Sequence, residues 1–253
     1  MSSWILLRGL SREARHWGSF PALFKKTVNA EKITLQDLPG NGVFNTQRSG
    51  TSVGEMVEFA RLHLNAANVQ PPHHILAMSL GAMVAAEWAT RYPHEISNLV
   101  LINTSMRPFS HAAQRLRPAN WPALAALALR WRDAPFSERS IFNLTCRRID
   151  TRSSDEMAWQ DIRAMAPVSG ANVCRQLLAA LRYRAQPVAP ACRVLVLSSS
   201  QDGLVNPVCS HQLATAWQVE HRQHALAGHD LPHDDPQWVS RQVAAWLELD
   251  ALP

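Results

Sequence analysis

The sequence predicts an α/β fold: a mostly parallel sheet of six strands with helices on both faces and a helical segment inserted after the fourth strand. Three observations carry that expectation. Apolar runs of strand length, such as "WILL", "HHILAMS", "NLVLINT" and "RVLVLSSS", alternate with longer stretches of helical periodicity. The runs are apolar on consecutive residues rather than on every second one, as expected of strands covered on both faces. The alternation stops between about Arg107 and Gln186, where proline-punctuated helical pieces replace it.

Taken in order, "WILLRG" is the first strand, and the polar stretch after Gly9 leads into "HWGSFPALFKK", which reads as a helix. "EKITLQDLPGNG" is a short strand ending in a Pro-Gly-Asn-Gly turn. From Thr51, the residues Val53, Met56, Val57, Ala60 and Leu64 recur at helical spacing, with Thr51 or Ser52 as the N-cap. The third strand, "HHILAMS", runs into a helix of small residues, "LGAMVAAEWATRYP", closed by Pro93, and "NLVLINT" is the fourth strand. After the inserted segment, "CRVLVLSSSQD" is a strand and "NPVCSHQLATAW" a helix with Asn206 as N-cap and Pro207 at its first position. "VEHRQHAL" is the sixth strand, and "DDPQWVSRQVAAWLELDAL" an amphipathic C-terminal helix.

The expected division is a core of residues 1–104 and 188–253 with a cap of residues 105–187 over the sheet's C-terminal edge. Hydrophobic residues at 47% and charged ones at 18% supply a buried core and argue against a disordered chain. No apolar run approaches a membrane span and no signal segment opens the chain, so a cytoplasmic protein is expected. Cys146, Cys174, Cys192 and Cys209 fall at no metal-ligand spacing, which points to free thiols. His229 and His233 stand four apart, but Gly228 and Pro232 argue for a loop there, and no metal or cofactor is expected. The net charge of +5 is concentrated in the cap, which holds 13 arginines, no lysine and 6 acidic residues. That segment reads first as a solvated helical surface and second as an attraction for an acidic substrate or partner. Neither nucleic acid nor membrane is expected as a partner.

In an open parallel sheet, reacting groups collect beyond the carboxyl ends of strands. Ser79 ends the third strand and opens a helix, between small neighbours at Ala77 and Gly81, as a sharp strand–turn–helix requires. Asp202 lies just past the fifth strand and His229 just past the sixth. Each alone is ordinary: Ser-x-Gly is common, Asp before Gly is a turn residue, and loop histidines are mostly solvated. Together they bring a hydroxyl, a carboxylate and an imidazole to strand ends of one sheet. His229 would take the proton of Ser79 and return it to a leaving group, while Asp202 would hold the imidazole tautomer. The N–H of Leu80, at the positive end of its helix, and that of Leu10, beyond Gly9, would form an oxyanion hole.

On these residues the chain resembles the α/β-hydrolase superfamily. The matching stretches are "LLRGL" for the oxyanion strand, "DLPGNG" after the second strand, "AMSLG" for the nucleophile elbow, "SSSQDGLVNP" for the acid and "GHDLPHDDP" for the histidine. The inserted segment is similar to the family's helical cap. Three positions depart from the pattern. Arg8-Gly9 replaces the usual His-Gly and would add charge near the pocket, Ala77 replaces the first elbow glycine, and Asn41 stands where many relatives have His. The compact size and "QDGLVNP" make the chain similar to small bacterial carboxylesterases, a group that includes pimeloyl-acyl-carrier-protein methyl ester esterases. That resemblance implies an acidic acyl carrier protein as a partner for the basic cap.

The expected function is a serine hydrolase that cleaves a small-molecule carboxylic ester through an acyl-enzyme. A thioesterase, or a cofactorless lyase of the menaquinone-pathway type, would use the same parts. A non-catalytic ligand-binding protein on this scaffold would usually lack one of the three residues, and none is missing. Arg8, Trp121, Trp131 and Trp159 are candidates for the substrate pocket, against the plainer reading that each tryptophan packs the cap on the core. Acyl-chain length, leaving group and oligomeric state are not legible in the residues.

Overall fold

The computed structural model describes residues 3–249. Among them, strands β1 (Ser3–Leu7), β2 (Lys32–Gln36), β3 (His73–Met78), β4 (Ile96–Ile102), β5 (Arg193–Ser199) and β6 (Glu220–His224) form one sheet. Its order is β2-β1-β3-β4-β5-β6, and every pairing is parallel. Helices α1 (Phe20–Thr27), α2 (Val53–Ala66) and α3 (Leu80–Arg91) precede β4. Between β4 and β5 lie α4 (Ala112–Arg115), α5 (Trp121–Leu129), α6 (Ala134–Thr145), α7 (Arg152–Met165) and α8 (Gly170–Arg182). Helices α9 (Val208–Trp217), α10 (Leu231–Asp234) and α11 (Pro236–Glu248) follow β5.

Successive side chains of a strand point to opposite faces, which explains the unbroken apolar runs. Ile5, Leu7, Ile75, Ala77, Leu99 and Leu101 share one core with α2 and α3. Trp4, Leu6, Leu76, Met78, Val100 and Ile102 share the other with Phe20 and Phe24 of α1 and Val239, Val243 and Trp246 of α11. The chain leaves β1 toward β2 on one side and returns to β3 on the other. The strand order therefore reverses between β1 and β3, the switch point beyond whose carboxyl ends open parallel sheets bind their ligands.

Of the two N-cap candidates for α2, Ser52 takes the role, its Oγ accepting the Glu55 N–H at 3.2 Å. Two other helix starts depart from expectation. Helix α9 begins one residue later than expected, at Val208, with Pro207 in the cap position; Asn206 still serves the end, its Oδ1 accepting the Val208 N–H at 3.1 Å. The stretch expected to be a loop around Pro232 is instead the single turn α10. Pro232 falls in its first turn, where a missing N–H costs nothing, and the Asp230 carbonyl accepts from His233 and Asp234, each at 3.0 Å. The last residues of the C-terminal helix expected from sequence, beyond 249, lie outside the described residues.

The regular structure of the segment between β4 and β5 is helical, joined by irregular links, apart from one isolated bridge between Arg107 and Arg184, which brings its entry and exit side by side. Helices α6 and α7 enclose a small apolar cluster of Phe142, Cys146, Trp159 and Ile162. Helix α8 is packed differently, since its Ala179, and Tyr183 just past its end, belong to the main core. Its fully buried Gln176 accepts the Ser11 N–H at 2.9 Å and donates to Asn41 Oδ1 at 2.8 Å. Asn41, one of the departures noted in the sequence, thus joins the loops after β1 and β2 to α8. Among the described residues, no helix is long and apolar enough to cross a membrane.

Candidate active site

Ser79 stands between β3 and α3 with φ 53° and ψ −119°, a region that residues with a side chain rarely occupy. Both ends of its peptide are held: its N–H donates to the Ile102 carbonyl at 2.9 Å, and its carbonyl accepts from Thr104 Oγ1 at 3.1 Å. The turn needs close backbone approach, and this explains the small residues around it. A Cβ on Gly81 would lie 2.5 Å from the Arg8 carbonyl oxygen and 2.7 Å from that of Leu7. One on Gly9 would lie 3.1 Å from Ser79 Cβ and 3.6 Å from its Oγ. The peptide joining Gly9 to Leu10 thus begins beside the Ser79 hydroxyl. Leu80, as the first residue of α3, has an N–H without an acceptor inside the helix.

Asp202 and His229 meet directly. Asp202 Oδ2 lies 2.7 Å from His229 Nδ1, and Oδ1 accepts the N–H groups of Leu204 and Val205 at 2.8 and 2.9 Å. The carboxylate makes Nδ1 the protonated nitrogen and leaves Nε2 as the acceptor. Asp202 and His229 are 1% and 4% exposed, so the pair is shielded from water. Burial lowers the imidazole pKa, but the charge and hydrogen bond of Asp202, with Asp230 behind them, outweigh it, and the net direction is upward. His233 is placed elsewhere, against Phe142 and Trp159, with Nε2 3.3 Å from Asp155 Oδ2.

Ser79 is tied to this pair through the backbone. Among the described residues no hydrogen bond joins Ser79 Oγ to His229; such contacts are often long before substrate binds. The link is Asn103, which the sequence reading passed over. It is buried beyond the end of β4 with φ 45°. Its Nδ2 donates to the His229 carbonyl at 2.8 Å, to Ser199 Oγ at 3.0 Å and to the Gly228 carbonyl at 3.2 Å, while its Oδ1 accepts the Ser199 N–H at 2.9 Å. The strand-end rule that singled out Ser79, Asp202 and His229 applies equally to Asn103, and was the available signal.

Arg8, expected to add charge beside the pocket, is instead neutralised by Asp230, the residue after His229. The tryptophans divide in the same way. Trp159 is buried under the Arg12 guanidinium, 4.4 Å from its ring centroid, and Trp131 donates its indole N–H to the Val168 carbonyl at 2.7 Å. Both pack the helical segment, whereas Trp121 is 56% exposed. Several arginines are structural too. Arg12 and Arg163 share the carboxylate of buried Glu138, and Arg117 donates to the Asp202 carbonyl at 2.8 Å. Arg107, Arg132, Arg182 and Arg184 are exposed and make no ion pair among the described residues.

One group of potential metal ligands occurs among the described residues: Cys146, His233 and Asp234 bring their ligand atoms within 4.8 Å of one another. The donor set does not suit a cation. The Asp234 oxygens already accept four N–H contacts, from Gly228, Arg148 and twice from Arg147. Burial, first of all, holds the Cys146 thiol protonated well above its usual range. The cluster anchors the His229 loop to the end of α6.

The chain belongs to the alpha/beta hydrolase family, whose profile matches residues 4–242. It is 28% identical over 113 residues to a pimeloyl-acyl-carrier-protein methyl ester esterase of Chromobacterium violaceum, covering 45% of this chain and 39% of that protein. The matching stretches span 39% or less of the curated relatives' length. Among solved structures, a thermophilic esterase from Thermogutta terrifontis superposes with a TM-score of 0.73 at 20% identity, over 98% of this chain and 90% of that one. The enol-lactonase of Burkholderia xenovorans LB400 does so with a TM-score of 0.76 at 16% identity, over 98% and 91%. At those identities the likeness is one of fold. Family membership supports hydrolase activity.

Proposed function

We propose that the protein hydrolyses a carboxylic ester through an acyl-enzyme formed on Ser79. His229 Nε2 removes the Ser79 proton as Oγ attacks the ester carbonyl. The N–H groups of Leu10 and Leu80 receive the developing oxyanion. Collapse of the tetrahedral intermediate expels the alkoxide, which leaves as the alcohol with the proton from His229. Water then repeats the sequence on the acyl-enzyme, releasing the acid and restoring Ser79. Asp202 keeps Nδ1 protonated and stabilises the imidazolium that forms in each half.

The observation that carries this reading is the buried Asp202–His229 contact of 2.7 Å, with the second Asp202 oxygen held by two backbone N–H groups. It is the orientation a general base needs, at the same edge of the sheet as a serine on a strained turn. The test is Ser79→Ala assayed on a short-chain nitrophenyl ester, with covalent labelling of the parent by a fluorophosphonate. Turnover falls roughly 10⁴-fold or more and labelling is lost. Retained turnover would sink the mechanism at its first step.

A thioester substrate uses the same steps, and a panel of matched esters and thioesters separates the two. A cofactorless lyase would release product without an acyl-enzyme, so an alcohol burst opposes it. Exposed Arg107, Arg182 and Arg184, near one another at the base of the helical segment, favour a substrate borne on an acidic carrier protein. The free thiols of all four cysteines suit a reducing, cytoplasmic setting.

A further inference from the structure

We infer that Asn103 is a positioning residue that sets His229 against Ser79, a role that rests on the hydrolytic reading above. Strand β4 lies between β3, which ends at the serine, and β5, which leads to Asp202. The residues just beyond its end are the ones that can reach both neighbours, and three in succession do so. Ile102 and Thr104 hold the two ends of the Ser79 peptide. Between them, Asn103 holds the carbonyls of Gly228 and His229 and both the N–H and the hydroxyl of Ser199. The nucleophile and the base are therefore referred to one short stretch of backbone, without a bond between their side chains.

The residue type matches the task. The side chain must donate to two carbonyls and accept from one N–H at short reach, from a backbone at φ 45°. Asparagine tolerates that left-handed conformation and carries both polarities on one amide. Aspartate would keep the acceptor and lose every donor. Glycine would keep the conformation and lose the amide. The surrounding partners also fix which way the amide points, since Oδ1 faces an N–H and Nδ2 faces two carbonyls. The other anchors of His229 are Asp202 on the ring, Arg8 on the side chain of the next residue, and the Thr145 carbonyl, which accepts the Asp230 N–H at 2.8 Å from the other side of the peptide that Asn103 holds.

The test compares Asn103→Gly and Asn103→Asp with the parent and with Ser79→Ala, using a nitrophenyl ester and a fluorophosphonate. Both Asn103 variants are expected to lose about 10- to 100-fold in kcat and in labelling rate, with KM little changed, since misplacement of reacting groups by about 1 Å costs that much. The midpoint of the Asn103→Gly pH–rate profile should stay in place, because Asp202 is untouched, while the plateau drops. A folded Asn103→Gly variant with parental kcat and labelling overturns the proposal. So does loss of activity that only tracks loss of folded protein in both variants, which would make Asn103 a stability residue. If Ser79→Ala retains turnover, it is the hydrolytic reading that fails, independently of what Asn103 does.

Discussion

Arg8 and Asp230 form a two-armed ion pair inside the protein, with Nη1 3.0 Å from Oδ1 and Nη2 2.5 Å from Oδ2. Their side chains are 3% and 4% exposed, so little water competes for either charge. The pair braces the end of β1 against the residue that follows His229, and the guanidinium also rests 4.7 Å from the Trp17 ring centroid. Burial raises the Asp230 carboxyl pKa, but the Arg8 charge and hydrogen bonds outweigh it, and the net direction is downward. Strand β1 and the loop that carries His229 are thereby one unit.

Breaking that brace from one side should cost more than removing it whole. Arg8→Met leaves a buried, unpaired carboxylate and is expected to lose about 3–5 kcal/mol of stability. Adding Asp230→Asn to Arg8→Met should recover part of the loss, because no charge then remains buried. Urea unfolding of the two single variants and the double one measures the coupling; strict additivity would show that the pair carries none.

Activity should follow the ionisation of His229. The base is needed neutral, and its raised pKa places the acid limb of the pH–rate profile above the ordinary value of 6.5. Asp202→Asn removes the carboxylate that holds it up, so the limb should move to lower pH. The plateau should fall about 10⁴-fold, because the amide no longer enforces the tautomer. A limb that stays in place in Asp202→Asn would detach Asp202 from the base.

A third expectation concerns stability rather than rate. Burial, chiefly, raises Asp37 from 3.8 to about 6, against the N–H groups of Val43 and Ala14 that favour its charged form. Between those two values the folded protein holds a proton that the unfolded chain has released. The contribution of Asp37 to stability therefore falls as pH rises from about 4 to about 6, and is lowest above that window. Asp37→Asn lacks this titration, so the parent's unfolding free energy minus the variant's should carry the slope, falling as pH rises through the window. A constant difference across pH 4 to 7 (roughly the window set by linkage) would refute it.

Much of the site was readable because its chemistry lies at strand ends, and strand ends are marked by local pattern. "AMSLG" shows its tight turn in the small residues at Ala77 and Gly81, whose need the Arg8 and Leu7 carbonyls explain. "SSSQDG" and "LAGHDL" follow apolar or alternating runs that stop where the sheet does. Asn103, just beyond the end of β4, is not marked in this way, because a lone Asn after a strand carries no chemical signature of its own. Its meaning comes from acceptors at Gly228 and His229, more than a hundred residues away in sequence.

Sequence alone determined the two-faced parallel sheet, the helical insertion and the identities of Ser79, Asp202 and His229 as residues worth testing. Those depend on hydrophobic period, turn chemistry and capping, which act over a few residues. Tertiary structure decided that Asp202 meets His229 while His233 packs on Phe142 and Trp159. It likewise gave Arg8 its partner 222 residues along the chain and turned the tryptophans Trp131 and Trp159 inward. A buried polar group must find a partner wherever the fold brings one, and no local pattern records which one that is.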